Sequence, residues 1–339
     1  MFNFGIREVG IDLGTANTLL VLQNKGIIMR EPSMVAVDGG NDEVIAVGKD
    51  AFAMNGRTSG GIKVSYPMRW GVIADHEKAI TMISRFLKEV TKTVGNLKRK
   101  IFVISVPVGI TSVEKRAILE AAKRVGARET LTIEEPLAAA IGANLPVSEP
   151  EGLMVVDIGG GTTEMAVISS NGIAVSKSLK TAGQAMDRMV AEYILKKFEL
   201  KIGMRTAEQL KIRLGTAVEG EGQKPQETFE IGGSDLLTGR PKIIEVTSAD
   251  IEKALADSVM GIVDGVKRTL EITPPELAAD LHDRGIVLTG GGALLHGLDK
   301  KLAEEIQVPV TLAENPMDCV ALGTEKAMRD LNSLRLPSY

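Results

Sequence analysis

The sequence predicts an α/β protein of two duplicated lobes facing each other across a cleft. Three observations carry that expectation. Residues 8–23, EVGIDLGTANTLLVLQ, read as a strand, a tight Gly/Thr/Asn turn and a second apolar strand. Residues 153–170, LMVVDIGGGTTEMAVISS, repeat that arrangement, and in both copies an Asp ends the first strand with glycine following. A third glycine turn, Thr289-Gly290-Gly291-Gly292-Ala293, follows the apolar run GIVL. One such hairpin in each half of a chain is the signature of a duplicated unit.

Helical segments follow each hairpin where a lobe needs covering. Residues 112–125 place Val113, Ala117, Leu119 or the nearby Ala121, and Val125 near helical spacing, with Thr111 or Ser112 as the N-cap. The run 184–198 is a second amphipathic candidate. Residues 316–329 form a third, with Asn315 as cap and Pro316 in the first turn. The segment 219–243, rich in Gly, Glu, Gln and Pro, reads as a loop and short hairpins projecting from the second lobe. No Gly/Ser-rich or Pro-rich linker divides the chain, so the lobes are expected to join compactly around residues 140–150.

A chain of 339 residues with 44% hydrophobic and 25% charged residues sustains a large core and two domains. The net charge of -4 gives no global ground for nucleic-acid binding, and any membrane contact must be local. The single Cys319 rules out an internal disulfide and a Cys-built metal site, and fits a reducing compartment, the cytoplasm. His76, His282 and His296 lack metal-ligand spacing. The N-terminus lacks the basic start and long apolar run of a signal peptide, and no apolar stretch reaches membrane-spanning length.

The turns Asp12–Thr18 and Asp157–Thr163 bring glycines beside a carboxylate. Glycine lets a backbone approach a ligand closely, and successive N–H groups in a tight turn form an anion nest. Two such turns from opposite lobes clamp a polyphosphate. Asp12 and Asp157 then have a task, because Mg²⁺ on phosphates keeps several waters and is held by one or two carboxylates. A single Asp-x-Gly hairpin is more often a capped turn; two matched copies and a third glycine turn reverse that judgement. For the third turn a strand leading into a helix N-terminus that points at the nucleotide is expected, with a plain strand-to-helix connection as the alternative. The chain contains no G-x-x-x-x-G-K-[ST], and its glycines do not match a G-x-G-x-x-G opening a βαβ unit. A P-loop and a Rossmann site are therefore excluded as motifs.

The segments GIDLGTANTLLVL, REPSMVAV, GVIADHE, VPVGITSVEKRAI, IEEPLAAAIGANLPV, VVDIGGGTTEMAVIS, RTAEQLKI, TPPELAADLHDRGIVLTGGGALL and ENPMDCVALGT resemble the MreB/Mbl family almost end to end. That resemblance implies an actin-like ATPase fold of two ribonuclease-H-like lobes with inserted subdomains around a nucleotide cleft. The first lobe is expected at 1–144 (core 1–32 and 66–144, insert 33–65). The second is expected at 145–339 (core 145–181 and 246–339, insert 182–245). The implied function is slow ATP hydrolysis, with Mg²⁺, by a protein that polymerises into antiparallel double protofilaments and helps to set cell shape. The implied location is cytoplasmic, peripheral at the inner face of the cell membrane, with cell-shape or cell-wall synthesis proteins as partners.

Carried over residue by residue, the resemblance assigns Thr15, Ala16 and Asn17 to the first phosphate loop and Gly159, Gly160 and Gly161 to the second. Glu208 and Lys211, one helical turn apart, flank the nucleoside, although a solvated helical ion pair is the bland alternative. Gly290, Gly291, Gly292 and Ala293 close over the adenosine. Asp12 and Asp157 organise Mg²⁺ through water. Glu135 positions the attacking water with help from Thr162, and the adjacent Glu134 is the carboxylate most easily confused with it. A helix-start charge favoured by the macrodipole is the bland reading of either.

The family's membrane loop corresponds to Gly95–Lys100, where Leu97 is kept and Lys98, Arg99 and Lys100 supply charge that attracts anionic lipid. Phe2 and Phe4 add apolar contact near the N-terminus. The chain departs from the family's Arg-Pro-Met-Arg/Lys-Asp-Gly run at Tyr66–Gly71, where Trp70 stands, and from its Gly-Asp-Glu-Met-Asp run at Gly183–Asp187. The sequence leaves Trp70 open among core, interface and exposed surface, and these changes bear on filament contacts more than on nucleotide binding. A small-molecule kinase on the same fold lacks support in an obvious sugar pocket or catalytic Asp. A chaperone ATPase needs a peptide-binding domain beyond the second lobe.

Overall fold

A computed structural model describes residues 8–58, 61–97, 100–218 and 228–329. Its first lobe is built on a five-stranded sheet in the order Glu129–Glu134, Ile101–Val106, Glu8–Leu13, Asn17–Leu22 and Gly26–Pro32. The second lobe's sheet runs Val310–Leu312, Ile286–Thr289, Leu153–Ile158, Thr163–Ser169 and Gly172–Leu179. The two orders are the same topology. Each begins as an antiparallel three-strand meander and adds two parallel strands beside its first strand. Parallel neighbours need crossovers, and the amphipathic helices supply them. His76–Val94 and Ser112–Val125 do so in the first lobe, and Ser248–Glu271 and Leu298–Ile306 in the second.

Local chemistry explains these helices. His76–Val94 starts at Asp75, whose side chain accepts the Lys78 N–H, and it buries Ile80, Ile83, Phe86, Leu87 and Val90 at three- and four-residue spacing. Ser112–Val125 opens on a capping box in which Thr111 and Glu114 satisfy each other's backbone N–H. Thr111, rather than Ser112, is thus the cap. The expected helix over 184–198 is Gly183–Phe198. The segment expected at 316–329 is a 3₁₀ turn, Pro316–Asp318, leading into a helix, Cys319–Ala327, and Asn315 makes no side-chain cap.

Smaller sheets extend both lobes. Val35–Asp38, Val44–Val47 and Ile62–Ser65 pack against helix Gly48–Met54 around Met34, Ala36, Ala46 and Ala51. In the second lobe the hairpin of Thr228–Asp235 and Pro241–Thr247, expected within 219–243, pairs with Leu200–Lys201 beside helix Met204–Leu214.

The lobes are joined twice, not once. Helix Glu135–Gly142 leaves the first lobe and packs against strands of the second, while Cys319–Ala327 returns to lie on the first lobe's sheet. They cross through two glycines. A Cβ on Gly142 would lie 1.8 Å from the Cys319 carbonyl oxygen, and one on Gly323 1.7 Å from that of Ala138. The crossing forms a shared core of Leu137, Ala138, Ala139, Ala140, Cys319, Ala321 and residues of both sheets. Lys326 Nζ donates to the Ile141 and Gly142 carbonyls, a cation placed at the end of the partner helix. Among the described residues no helix is long and apolar enough to cross a membrane.

Candidate functional site

A cavity of about 620 Å³ opens between the lobes, a size suited to a small-molecule ligand. Its floor is made by the two matched hairpins. In the first, the turn after Glu8–Leu13 is braced by the buried Ser33: its Oγ donates to the Gly14 carbonyl (2.6 Å) and its N–H to that of Ala16 (2.9 Å). In the second, the Gly159 N–H closes the turn on the Thr162 carbonyl at 2.9 Å. The start of helix Gly183–Phe198 is tied to that turn by the N–H groups of Gly183 and Gln184, which donate to Gly159 and Gly160. The turns touch across the cleft. A Cβ at Gly160 would meet Ala16 Cβ at 2.6 Å, and one at Gly161 would meet Thr15 Oγ1 at 2.4 Å. Glycine at these two positions permits that approach.

Four carboxylates meet at this junction: the buried Glu135, Asp157 and Glu164 and the half-buried Asp12. Burial pushes Asp12 up to about 7, with repulsion from Asp157 adding to it and the Ser105 hydroxyl opposing it. Asp157 is raised to about 6 by burial, against a 2.7 Å bond from Thr289 Oγ1. Ser105 and Thr289 stand on topologically equivalent strands, so the duplication extends to the hydroxyl beside each Asp. Glu135 is held well above the usual carboxylate range by burial and then by Glu164, Asp12 and Asp157. Its neighbour Glu134 is exposed and outside the cavity wall.

Raised carboxylates keep protons in the native state that the unfolded chain has released. Stability in the nucleotide-free protein therefore falls as pH rises from the unfolded carboxylate range, about 4, towards neutrality. The expected result is a thermal midpoint that declines between about pH 5 and about pH 8, with Asp12→Asn flattening the decline, measured by calorimetry without nucleotide. One pKa unit corresponds to about 1.4 kcal/mol, so the slope is measurable.

Glu164 is absent from the sequence-derived set. It stands opposite Asp157 in register, where the first lobe places Leu19 opposite Asp12. An acid at a position its twin fills with leucine is fully buried, accepts the Val108 N–H from the other lobe at 3.2 Å, and is raised to about 8 by burial. Aligning the two hairpins residue by residue would have exposed it.

Every other predicted residue except Ala293 lines the cavity: Asp12, Thr15, Ala16, Asn17, Glu135, Asp157, Gly159, Gly160, Gly161, Thr162, Glu208, Lys211, Gly290, Gly291 and Gly292. Ala293 instead turns into the second lobe's core. The third turn also differs from expectation. After Gly290, at φ +81 with its N–H on the Pro316 carbonyl, comes a 3₁₀ turn, Gly291–Leu294, and the helix starts only at Leu298. Lys211 pairs with Asp187 at 2.7 Å and donates to the Gly183 carbonyl at 3.0 Å, so it braces the cavity wall instead of forming a solvated pair with Glu208. Among the described residues no group of three or more His, Cys, Asp or Glu is arranged to hold a metal ion. The pair Asp12 and Asp157, crowded and proton-retaining, fits a cation whose remaining ligands are water and phosphate.

Leu97 does not project as a membrane loop. It is 2% exposed and packs in the first lobe's core with Val90 and Phe102, because the chain must turn inward there to enter strand Ile101–Val106. Lys98, Arg99, Phe2 and Phe4 lie outside the described residues.

The MreB/Mbl protein family model matches residues 6–336. Mbl of Bacillus subtilis strain 168, a cell shape-determining protein, is 47% identical over 328 residues, covering 97% of each chain. The cell shape-determining protein MreB of Escherichia coli K12 is 46% identical over 325 residues, 95% of this chain and 93% of that one. In three dimensions, MreB5 of Spiroplasma citri bound to ADP superposes with a TM-score of 0.91 at 35% identity, over 96% of this chain and 97% of that one. The same protein has also been solved bound to AMPPNP. With a two-lobed, actin-like architecture and a match along almost its whole length, this chain belongs to the MreB/Mbl family.

Proposed function

We propose that this protein binds ATP in the interlobe cleft, hydrolyses it slowly, and polymerises into membrane-associated filaments that help to set cell shape. The observation that carries the reading is the contact between the two glycine turns across a cavity walled by Glu135. Similarity to cell shape-determining proteins and to a homologue seen with ADP and with AMPPNP supports it.

In this reading the N–H groups of Thr15, Ala16 and Asn17 and of Gly160 and Gly161 hold phosphate oxygens from opposite lobes, and Gly159, whose N–H closes its own turn, shapes the second loop. Phosphoryl transfer to water demands positioning and charge stabilisation more than a covalent nucleophile. Glu135 orients the attacking water, while the Thr162 hydroxyl assists. Glu208 and Lys211 flank the nucleoside, and Gly290, Gly291 and Gly292 close beside it. Bound Mg²⁺ supplies neutralisation of the phosphate charge, with Asp12 and Asp157 holding its waters.

Sedimentation with ATP, paired with a phosphate-release assay, tests the reading. Filaments that pellet and release phosphate without a second substrate are expected. A monodisperse protein that consumes ATP only when a small-molecule acceptor is added would make it a kinase instead. For the membrane, Lys98, Arg99, Lys100, Phe2 and Phe4 remain the proposed contacts, with Leu97 removed from the set. Greater pelleting with anionic than with neutral vesicles is expected, weakening with salt; equal pelleting would remove the charge-based contact.

A further inference from the structure

Trp70, the chain's sole tryptophan, is half exposed at φ +51, a conformation that bulky side chains seldom adopt. It sits in the short turn between strands Met68–Arg69 and Val72–Ile73 of the first lobe. Lys180, at the end of strand Gly172–Leu179 in the second lobe, places its Nζ 4.0 Å from the centre of the Trp70 ring. This is cation–π distance, and the contact bridges the lobes.

Each end of the bridge is tied to a different phosphate turn. On the first-lobe side the Gly71 N–H donates to Thr15 Oγ1 at 2.8 Å in a buried bond. On the second-lobe side the Thr181 carbonyl accepts Thr163 Oγ1 at 2.6 Å, beside Thr162. Gly71 stands at φ +74, where an added Cβ would lie 3.1 Å from the Pro107 ring, so glycine suits the position. The path Thr15–Gly71–Trp70–Lys180–Thr181–Thr163 therefore runs from one turn, over the cleft, to the other. Strained backbone at Trp70 persists only where surrounding contacts hold it, and it aims the ring at the opposite lobe.

We propose that Trp70 and Lys180 form a clasp across the phosphate end of the cleft that opposes lobe opening and slows nucleotide exit. The clasp rests on the reading that a nucleotide occupies the cleft. Ligand release from a two-lobed site requires the lobes to part, so a contact that bridges the lobes and breaks as they part lowers the exit rate. Because its ends attach to the turns themselves, the clasp also senses whether Thr15 and Thr163 are held in place.

The test uses the full-length protein loaded with N-methylanthraniloyl-ADP and Mg²⁺, chased with unlabelled ADP. Lys180→Ala, an exposed site whose change spares the fold, and Trp70→Ala are each expected to accelerate release roughly two- to fivefold. The double variant is expected to release no faster than the faster single one, and Trp70→Phe to retain part of the slow release. Unchanged release in Lys180→Ala, or additive effects in the double variant, overturns the clasp. Acrylamide quenching of the sole tryptophan in nucleotide-free protein reads the contact independently. Quenching that rises in Lys180→Ala supports the clasp and quenching that does not change overturns it, whereas failure to bind the labelled ADP overturns the nucleotide reading.

Discussion

Glu135→Ala is expected to leave ADP affinity within about twofold of the parent and to slow phosphate release by about two orders of magnitude, the usual contribution of a positioned catalytic group. Glu135 lies in the cavity wall at the start of a helix, where burial and then the neighbouring Glu164, Asp12 and Asp157 raise its pKa. Glu135→Gln keeps the shape and removes the carboxylate that orients the water, so it is expected to be as slow as the Ala variant. Glu134→Ala serves as the matched control, since that side chain faces solvent and its removal leaves turnover unchanged. Single-turnover phosphate release, measured beside equilibrium ADP binding, separates chemistry from affinity. Unaltered turnover in Glu135→Ala would end the assignment.

Gly142→Ala is expected to destabilise the protein by about 3 kcal/mol or more, because the added methyl meets backbone and not a flexible side chain. Its Cβ would overlap the Cys319 carbonyl, and the reciprocal clash occurs at Gly323 against Ala138. Relief requires the two crossing helices to separate, which opens the shared core beneath both lobes. Nucleotide affinity is expected to fall together with stability, because the two lobes that carry the glycine turns share this core. Chemical denaturation measures the first effect and titration with ADP the second. Gly232→Ala, at a strand position with open space around it, is the control and changes neither. A Gly142→Ala protein as stable as the parent would show that the crossing is not close-packed.

The duplicated hairpins were legible because strand, turn and glycine signals are local and recur at matched positions. The Asp residues of both turns and the glycines of all three were legible for the same reason. The supporting hydroxyls of Ser33, Ser105 and Thr289 were not, since each acts through strand pairing or a loop contact and carries no spacing signal. Glu164 was hidden inside an otherwise apolar strand and shows itself only when the two lobes' registers are compared. Ala293 and Leu97 were assigned from segments whose neighbours suited the role, but their own side chains are apolar and satisfy the core first.

By itself the sequence determined the α/β class, the duplication, the family and the two glycine turns with their Asp residues that floor the cavity, because these depend on local periodicity, glycine placement and motif. Tertiary structure decided how the lobes are joined: two helices exchanged between lobes, crossing at Gly142 and Gly323, where packing distance is set by residues 181 positions apart. It also decided the fate of Trp70. A lone aromatic in a turn has no periodicity to read, and its partner Lys180 lies in the other lobe. Contacts between segments distant in sequence are fixed only when both lobes are folded, and those contacts join the two glycine turns across the cleft.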